Sequence, residues 1–396
     1  MTADLSFAQR RLCAYHLSEL SFERGRMLAR FLVGLFLVLA AAFPFAPVAR
    51  AEGLLQEAVR VPATFAGLFG GRSVTLEGLV VRPDGPGPFP IAIINHGAPR
   101  DAARRPTMTP LTYVPQAREF ARRGWAVLIV MRRGYGGSEG EYVESSGPCN
   151  SPDYVQSGER GAEDIRQAIR YMASRPYADP KRIISVGQSA GGFATVALTA
   201  DPPPGLVAAI SFAGGRGSLA ENEVCTPPAL IGAFGRFGKT SRLPTLWVYT
   251  ENDRYFAPPL AKAFVTAFTQ AGGKARFVAA PAFGEDGHGL FSGAGIPLWT
   301  PYVDQFLADQ GLTPRKTLIA LPKVEPPPGL SERARAAFQE YLAAPPNKAF
   351  AVSGDGAYSW RTGRRTEEDA RAAVLEGCAK FAKTQCRVVY LNESPQ

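Results

Sequence analysis

The pentapeptide Gly187-Gln188-Ser189-Ala190-Gly191 constrains this chain more than any other feature, because it follows directly on the apolar run Arg182-Ile183-Ile184-Ser185-Val186. This order of residues reads as a buried strand, a tight turn carrying a serine, and then a helix. Glycines flanking such a turn let backbones approach closely and leave the hydroxyl at its apex in the open. A helix starting behind the serine would aim unpaired backbone amides and the positive end of its dipole at the same point. Pentapeptides of this pattern also arise by chance, so the weight of this one depends on its surroundings.

The surroundings are those of a parallel sheet covered by helices on both faces. Strand candidates are 74–81, 91–95, 126–130, 182–186, 207–212, 245–250 and 275–279. Helical spacing fills 115–123, 158–174, 192–199, 258–271 and 301–310 between and after them; in the second of these, Ala162, Ile165, Ala168, Ile169 and Met172 recur at three and four and define one buried face. The expected fold class is therefore α/β, a doubly wound, mostly parallel sheet, occupying residues 52–320. The stretches 98–113, 136–158 and 214–242 read as loops that would shape specificity, the last of them as a cap.

Residues 1–51 read as an export signal. Phe31 to Phe43 is uninterruptedly apolar behind Arg24, Arg26 and Arg30, and Ala49-Arg50-Ala51 supplies a cleavage site. Met27 would begin a signal of ordinary length and is the expected start. Pro44 and Pro47 break the apolar run before it reaches spanning length, so a membrane is expected as partner only through an uncleaved signal. The whole chain carries a net charge of +9, and with six Lys/Arg and three Asp/Glu in residues 1–51 the remainder carries +6. No basic run interleaved with aromatics accompanies that charge, which speaks against nucleic acid as a partner. Beyond Cys13, the four cysteines form an even set that fits an oxidising compartment, periplasmic or secreted. Of their three possible pairings, the most economical joins Cys149 with Cys225 and Cys378 with Cys386.

Pro322, Pro326, Pro327, Pro328 and Gly329 mark a stiff linker over 321–330. A small α+β module is expected beyond it, over 331–396. Ser331 caps a helix to about Leu342, 348–352 and 357–361 read as strands, Thr366 opens a helix through Phe381, and 387–391 closes the module as a strand. So small a core would be marginal without the Cys378–Cys386 bridge.

A serine hydroxyl attacks only when a base takes its proton, so a histidine oriented by a carboxylate is required. The chain has three histidines: His16 falls in the signal and His96 precedes the serine, which leaves His288, on a glycine-flanked loop past the last predicted strand, as the base. The carboxylate should follow an intervening strand, where 245–250 runs into Glu251-Asn252-Asp253; Asp253 is preferred to Glu251, and the order Ser189, Asp253, His288 suits the topology. No metal cluster and no cofactor motif is visible.

Asn95-His96-Gly97-Ala98, Arg133-Gly134-Tyr135-Gly136-Gly137-Ser138, the 187–192 turn, Glu251-Asn252-Asp253 and Gly287-His288-Gly289 together resemble the dienelactone hydrolase and prolyl-oligopeptidase-like branch of the α/β-hydrolase superfamily, over about residues 60–310. The resemblance implies an oxyanion hole made by the Ala98 and Ala190 amides, with His96 bracing its turn. Founding dienelactone hydrolases use a cysteine nucleophile where this chain has Ser189. The module resembles, more weakly, cysteine-containing domains of exported bacterial proteins. The leading expectation is an exported serine hydrolase acting on a small-molecule carboxylic ester; the alternatives are a peptidase of small peptides, or an envelope-binding protein whose hydrolase domain is secondary or inactive.

Overall fold

The structure, a computed structural model, describes residues 53–66 and 71–396, and the expected signal with Met27 and Cys13 lies outside the described residues. A long antiparallel hairpin comes first. In β1 (Leu54–Phe65) alternate side chains are buried from Val59 on, and β2 (Arg72–Pro83) pairs with it from Leu54 opposite Pro83 to Phe65 opposite Arg72. One wet face and one dry face are what an edge hairpin requires.

The alternating α/β part follows in chain order: β3 (Phe89–Asn95), α1 (Val114–Arg122), β4 (Ala126–Val130), α2 (Tyr154–Ala173), β5 (Ala178–Gln188), α3 (Ala190–Leu198) and β6 (Leu206–Phe212). Next come a short hairpin of β7 (Ser218–Ala220) and β8 (Glu223–Val224), then α4 (Pro227–Gly238), β9 (Pro244–Thr250), α5 (Pro258–Gln270), β10 (Lys274–Ala280) and α6 (Ile296–Asp309). The large sheet has the order β1-β2-β4-β3-β5-β6-β9-β10 and is parallel from β4 onward. Its inner strands are buried on both faces, which is why they read as unbroken apolar runs: Ile91 and Ile93 join one core, Ala92 and Ile94 the other. The first core also takes side chains from α2, α3, α4 and α5; the second takes them from α1 and α6. Parallel strands bring their carboxyl ends, and the turns that follow them, to one rim of the sheet.

Two elements differ from expectation. β1 is a strand that sequence reading passed over, because Gln56, Glu57 and Arg60 make its exposed face polar. The stretch 214–242, read as a cap, contains a core helix. In α4, Leu230, Phe234 and Phe237 are buried, and the Phe234 ring meets Phe264 at 4.6 Å, Phe193 at 5.0 Å and Trp247 at 5.1 Å. Gly232, Gly235 and Gly238 hid this helix from a propensity argument. Gly238 is small for a packing reason, since a Cβ there would lie 2.2 Å from the Phe268 carbonyl oxygen of α5. Only β7 and β8 remain over the rim, tied to the 136–158 loop by a Cys149–Cys225 disulfide.

The C-terminal residues form α7 (Glu332–Ala343), β11 (Ala349–Ser353), β12 (Tyr358–Arg361), α8 (Glu367–Ala379), β13 (Cys386–Leu391) and β14 (Ser394–Pro395), with an antiparallel sheet in the order β12-β11-β13-β14. Alternation along β11 sends Phe350 to Phe338 and Tyr341 of α7, and Ala349 and Ala351 to Ala370 and Val374 of α8. Ser331 and Thr366 cap their helices by accepting from Ala334 N and Asp369 N, and the Cys378–Cys386 disulfide joins α8 to β13. Glu393 pairs with buried Lys348 at 3.1 Å and with Arg118 at 3.0 Å, linking this sheet to helix α1.

If α4 belongs to the core, Phe234→Ala will lower the unfolding free energy in urea by about 3–5 kcal/mol; a loss below about 1 kcal/mol would make the helix peripheral.

Candidate active site

Ser189 stands between β5 and α3 with φ 54° and ψ −121°, a backbone conformation that a side chain with a Cβ rarely adopts. Holding it there costs on the order of 1–3 kcal/mol, which the surroundings must offset. They do so by hydrogen bonds and by close contact. Ser189 N donates to Phe212 O at 2.9 Å, while Ser189 O accepts from Phe193 N at 2.9 Å and Gly215 N at 3.1 Å. A Cβ on Gly187 would meet Gly191 O at 2.2 Å, and one on Gly191 would meet Asn95 O at 2.2 Å and His96 O at 2.5 Å. Both flanking positions must therefore be glycine, and the turn after β3 lies directly against the serine turn.

Asp253 follows β9 and His288 sits in a short turn, Gly287–Gly289, after β10. The structure brings them together: His288 Nδ1 is 3.1 Å from both carboxylate oxygens, and the aspartate side chain is wholly buried. Oδ1 of Asp253 also accepts from Tyr255 N at 2.7 Å and Phe256 N at 2.9 Å, so the carboxylate is fixed by its own loop. Asp286 Oδ1 accepts from Arg254 N and His288 N, both at 3.0 Å, which clamps the acid loop to the histidine loop. Glu251 is exposed and takes no part.

A third chain of contacts runs to the serine turn. Gly97 N donates to the Tyr113 hydroxyl at 3.1 Å, that hydroxyl donates to Gln188 Oε1 at 2.8 Å, and Gln188 Nε2 donates to His288 O at 2.9 Å. Among the described residues no hydrogen bond joins the Ser189 hydroxyl to the imidazole itself. Ser189, Ala98 and Ala190 line one cleft of about 190 Å³, with Arg216 and Tyr255 in its walls. Neither the Ala98 amide nor the Ala190 amide donates a hydrogen bond among the described residues.

His96 is buried with both ring nitrogens in use. Nε2 accepts from Arg132 N at 3.0 Å, so Nδ1 carries the proton and donates to Gly97 O at 2.7 Å. Burial and then the charge of Arg132 push its pKa down to about 3. A neutral imidazole pinned at both ends can brace the Gly97-Ala98 turn and cannot serve as a base.

Behind it, Arg132 donates through Nη1 to His96 O at 2.8 Å and through Nε to Glu144. Glu144 is also held by Arg216 Nη2 and the Tyr135 hydroxyl. Burial alone would raise the Glu144 pKa, but the opposed charges of Arg132 and Arg216 outweigh it and hold the carboxyl down to about 2. Sequence reading missed Arg132, Glu144, Arg216, Tyr255 and Asp286. Arg132 adjoins the Arg133-Gly134-Tyr135 motif and Asp286 lies two residues from His288, so proximity was their only signal; Glu144 and Arg216 stand in loops with no periodicity to expose them.

The family described as X-Pro dipeptidyl-peptidase (S15 family) matches residues 70–226, a span that includes the serine turn and ends before Asp253 and His288. This chain is similar to an uncharacterized peptidase, YuxL, of Bacillus subtilis, with 31% identity over 127 residues, which cover 31% of this chain and 17% of that protein. The match thus spans about a sixth of the length of that relative. Among solved structures this chain is similar to the esterase Pf2001 of Pyrococcus furiosus, with TM-score 0.45 and 14% identity, over 65% of this chain and 93% of that one. It is also similar to an acylaminoacyl peptidase of Pyrococcus horikoshii, with TM-score 0.44 and 16% identity, over 69% of this chain and 43% of that one.

Folding holds Glu144 and His96 below their ordinary values. The Glu144 contribution to stability is complete above about pH 4.5 and is lost as pH falls towards 2; that of His96 is complete above about 6.5 and is lost towards 3. Glu144→Gln leaves two buried guanidinium groups uncompensated and will cost about 3–5 kcal/mol at pH 7 in denaturant unfolding. The gap to wild type will narrow between pH 4.5 and 3. A gap that does not change with pH would contradict the buried ion cluster.

Proposed function

We propose that this chain is an exported serine hydrolase that cleaves small carboxylic esters through an acyl-enzyme on Ser189. The single observation that carries the reading is the strained serine turn with an Asp253–His288 pair on the two neighbouring loops. Because Nδ1 of His288 is committed to Asp253, Nε2 is the nitrogen left to take the Ser189 proton. The alkoxide attacks the carbonyl carbon, and the Ala98 and Ala190 amides hold the negative oxygen. Each such donor typically contributes about 3–4 kcal/mol to lowering the barrier. The imidazolium then protonates the leaving alcohol, and water activated by the same imidazole releases the acyl group. The hydroxyl and imidazole must close to hydrogen-bonding distance when substrate fills the cleft, a tightening common to sites seen without ligand.

In this reading residues 52–320 carry the chemistry, 321–330 are a linker and 331–396 an accessory module. Export is supported by the Ala49-Arg50-Ala51 site and the two disulfides, and among the described residues no helix is long and apolar enough to cross a membrane. The expected compartment is the periplasm or the exterior.

A peptidase is the second reading, favoured by the match to a family described as a dipeptidyl-peptidase. Aryl esters and aryl anilides of the same acyl group separate the two: a higher kcat/KM on the ester supports the esterase, and parity or a preference for the anilide supports the peptidase. Ser189→Ala will lower kcat on the better substrate by about 10⁴-fold or more, with unfolding within about 1 kcal/mol of wild type. Turnover retained by that variant would remove Ser189 from the mechanism.

A further inference from the structure

One face of the His288 imidazole is covered in a way that the acyl-transfer scheme does not by itself require. The Tyr255 ring lies flat against it, with centroids 3.9 Å apart and planes within 14° of parallel, while Phe256 meets it obliquely at 5.7 Å. Arg100 lies over Tyr255, its guanidinium carbon 3.6 Å from the ring centroid. Two groups this close to one ring cannot share a face of it, so Tyr255 is sandwiched between guanidinium and imidazole. The separations of 3.6 and 3.9 Å put the cation at most about 7.5 Å from the imidazole centre.

Arg100 is itself anchored rather than free. Its Nε and Nη2 donate to Ser218 Oγ at 3.1 and 2.9 Å, and Nη2 also reaches Ala220 O at 3.0 Å and Arg254 O at 3.2 Å. One side chain, two residues beyond Ala98, therefore joins the turn after β3, the β7–β8 hairpin and the loop that carries Asp253.

We infer that Arg100 and Tyr255 are positioning residues for His288: the Tyr255 ring fixes the plane of the imidazole, and the anchored Arg100 guanidinium holds the Tyr255 ring in place. This rests on the proposed role of His288 as base. A ring hydrogen-bonded only through Nδ1 can still rock about that contact, and Tyr255 blocks the rocking on one side, keeping Nε2 directed at the serine turn. The ring is thus held at its edge by Asp253 and across one face by Tyr255, which Arg100 backs from the far side.

The test is kcat and KM on a neutral aryl acetate for full-length wild type, Tyr255→Phe, Tyr255→Ala, Arg100→Lys and Arg100→Met. Tyr255→Ala will lower kcat about tenfold with little change in KM, and Tyr255→Phe, which keeps the stack, will recover most of the rate. Arg100→Met, which removes the group that pins the Tyr255 ring, will lower kcat about threefold with little change in KM, while Arg100→Lys, which keeps a cation over that ring, will recover part of the rate. Arg100 is exposed, so Arg100→Met carries the test even where Tyr255→Ala fails to fold. A kcat for Tyr255→Phe no higher than that of Tyr255→Ala would overturn the stacking role, and wild-type rates in both non-conservative variants would overturn the proposal entirely. An inactive wild type, or a fully active His288→Ala, would instead overturn the triad on which the proposal rests.

Discussion

The contact on which the site depends is between two backbones. Gly191, at the start of α3, lies so close to the carbonyls of Asn95 and His96 that no side chain fits between them. That approach sets the turn after β3 against the turn after β5, and Ala98, Ser189 and Ala190 line one cleft. It also explains the strain at Ser189. A residue at φ 54° is tolerated because neighbouring strands and helices hold every backbone group around it.

Charge is arranged in two layers around that contact. Deep in the fold, Arg132, Glu144 and Arg216 form a buried cluster whose guanidinium groups grip the His96 carbonyl and the loop of residue 144. His96 stays neutral because it is buried and a cation, Arg132, is adjacent. Nearer the cleft, Asp253 holds His288 from the edge while Tyr255, backed by Arg100, covers its face. The disulfide between Cys149 and Cys225 ties together the two loops that supply Glu144 and Arg216, so oxidation and the ion cluster act on the same pair of segments.

What could be read in the sequence follows from which residues are buried on both sides. β3, β4, β5, β6 and β9 were visible as apolar runs, and Asp253 and His288, proposed from chain order and the scarcity of histidine, are hydrogen-bonded to each other. β1 was invisible because its outer face is polar, and α4 because its glycines suit close packing against α5 rather than helix propensity. The ion cluster left no trace: Arg132, Glu144 and Arg216 are spread over 85 residues and meet only through the loops between strands. The tautomer of His96 was equally hidden, since it is set by one backbone amide on a neighbouring strand end.

The most direct measurement of the central claim, that the serine turn and the Asp253–His288 pair together make one hydroxyl nucleophilic, is covalent labelling of the folded full-length protein with a fluorophosphonate, followed by intact mass and peptide mapping. The account predicts a single adduct on Ser189, formed at a rate that falls sharply in His288→Ala. No adduct, or one on a different residue such as Ser145 in the same cleft, would contradict it.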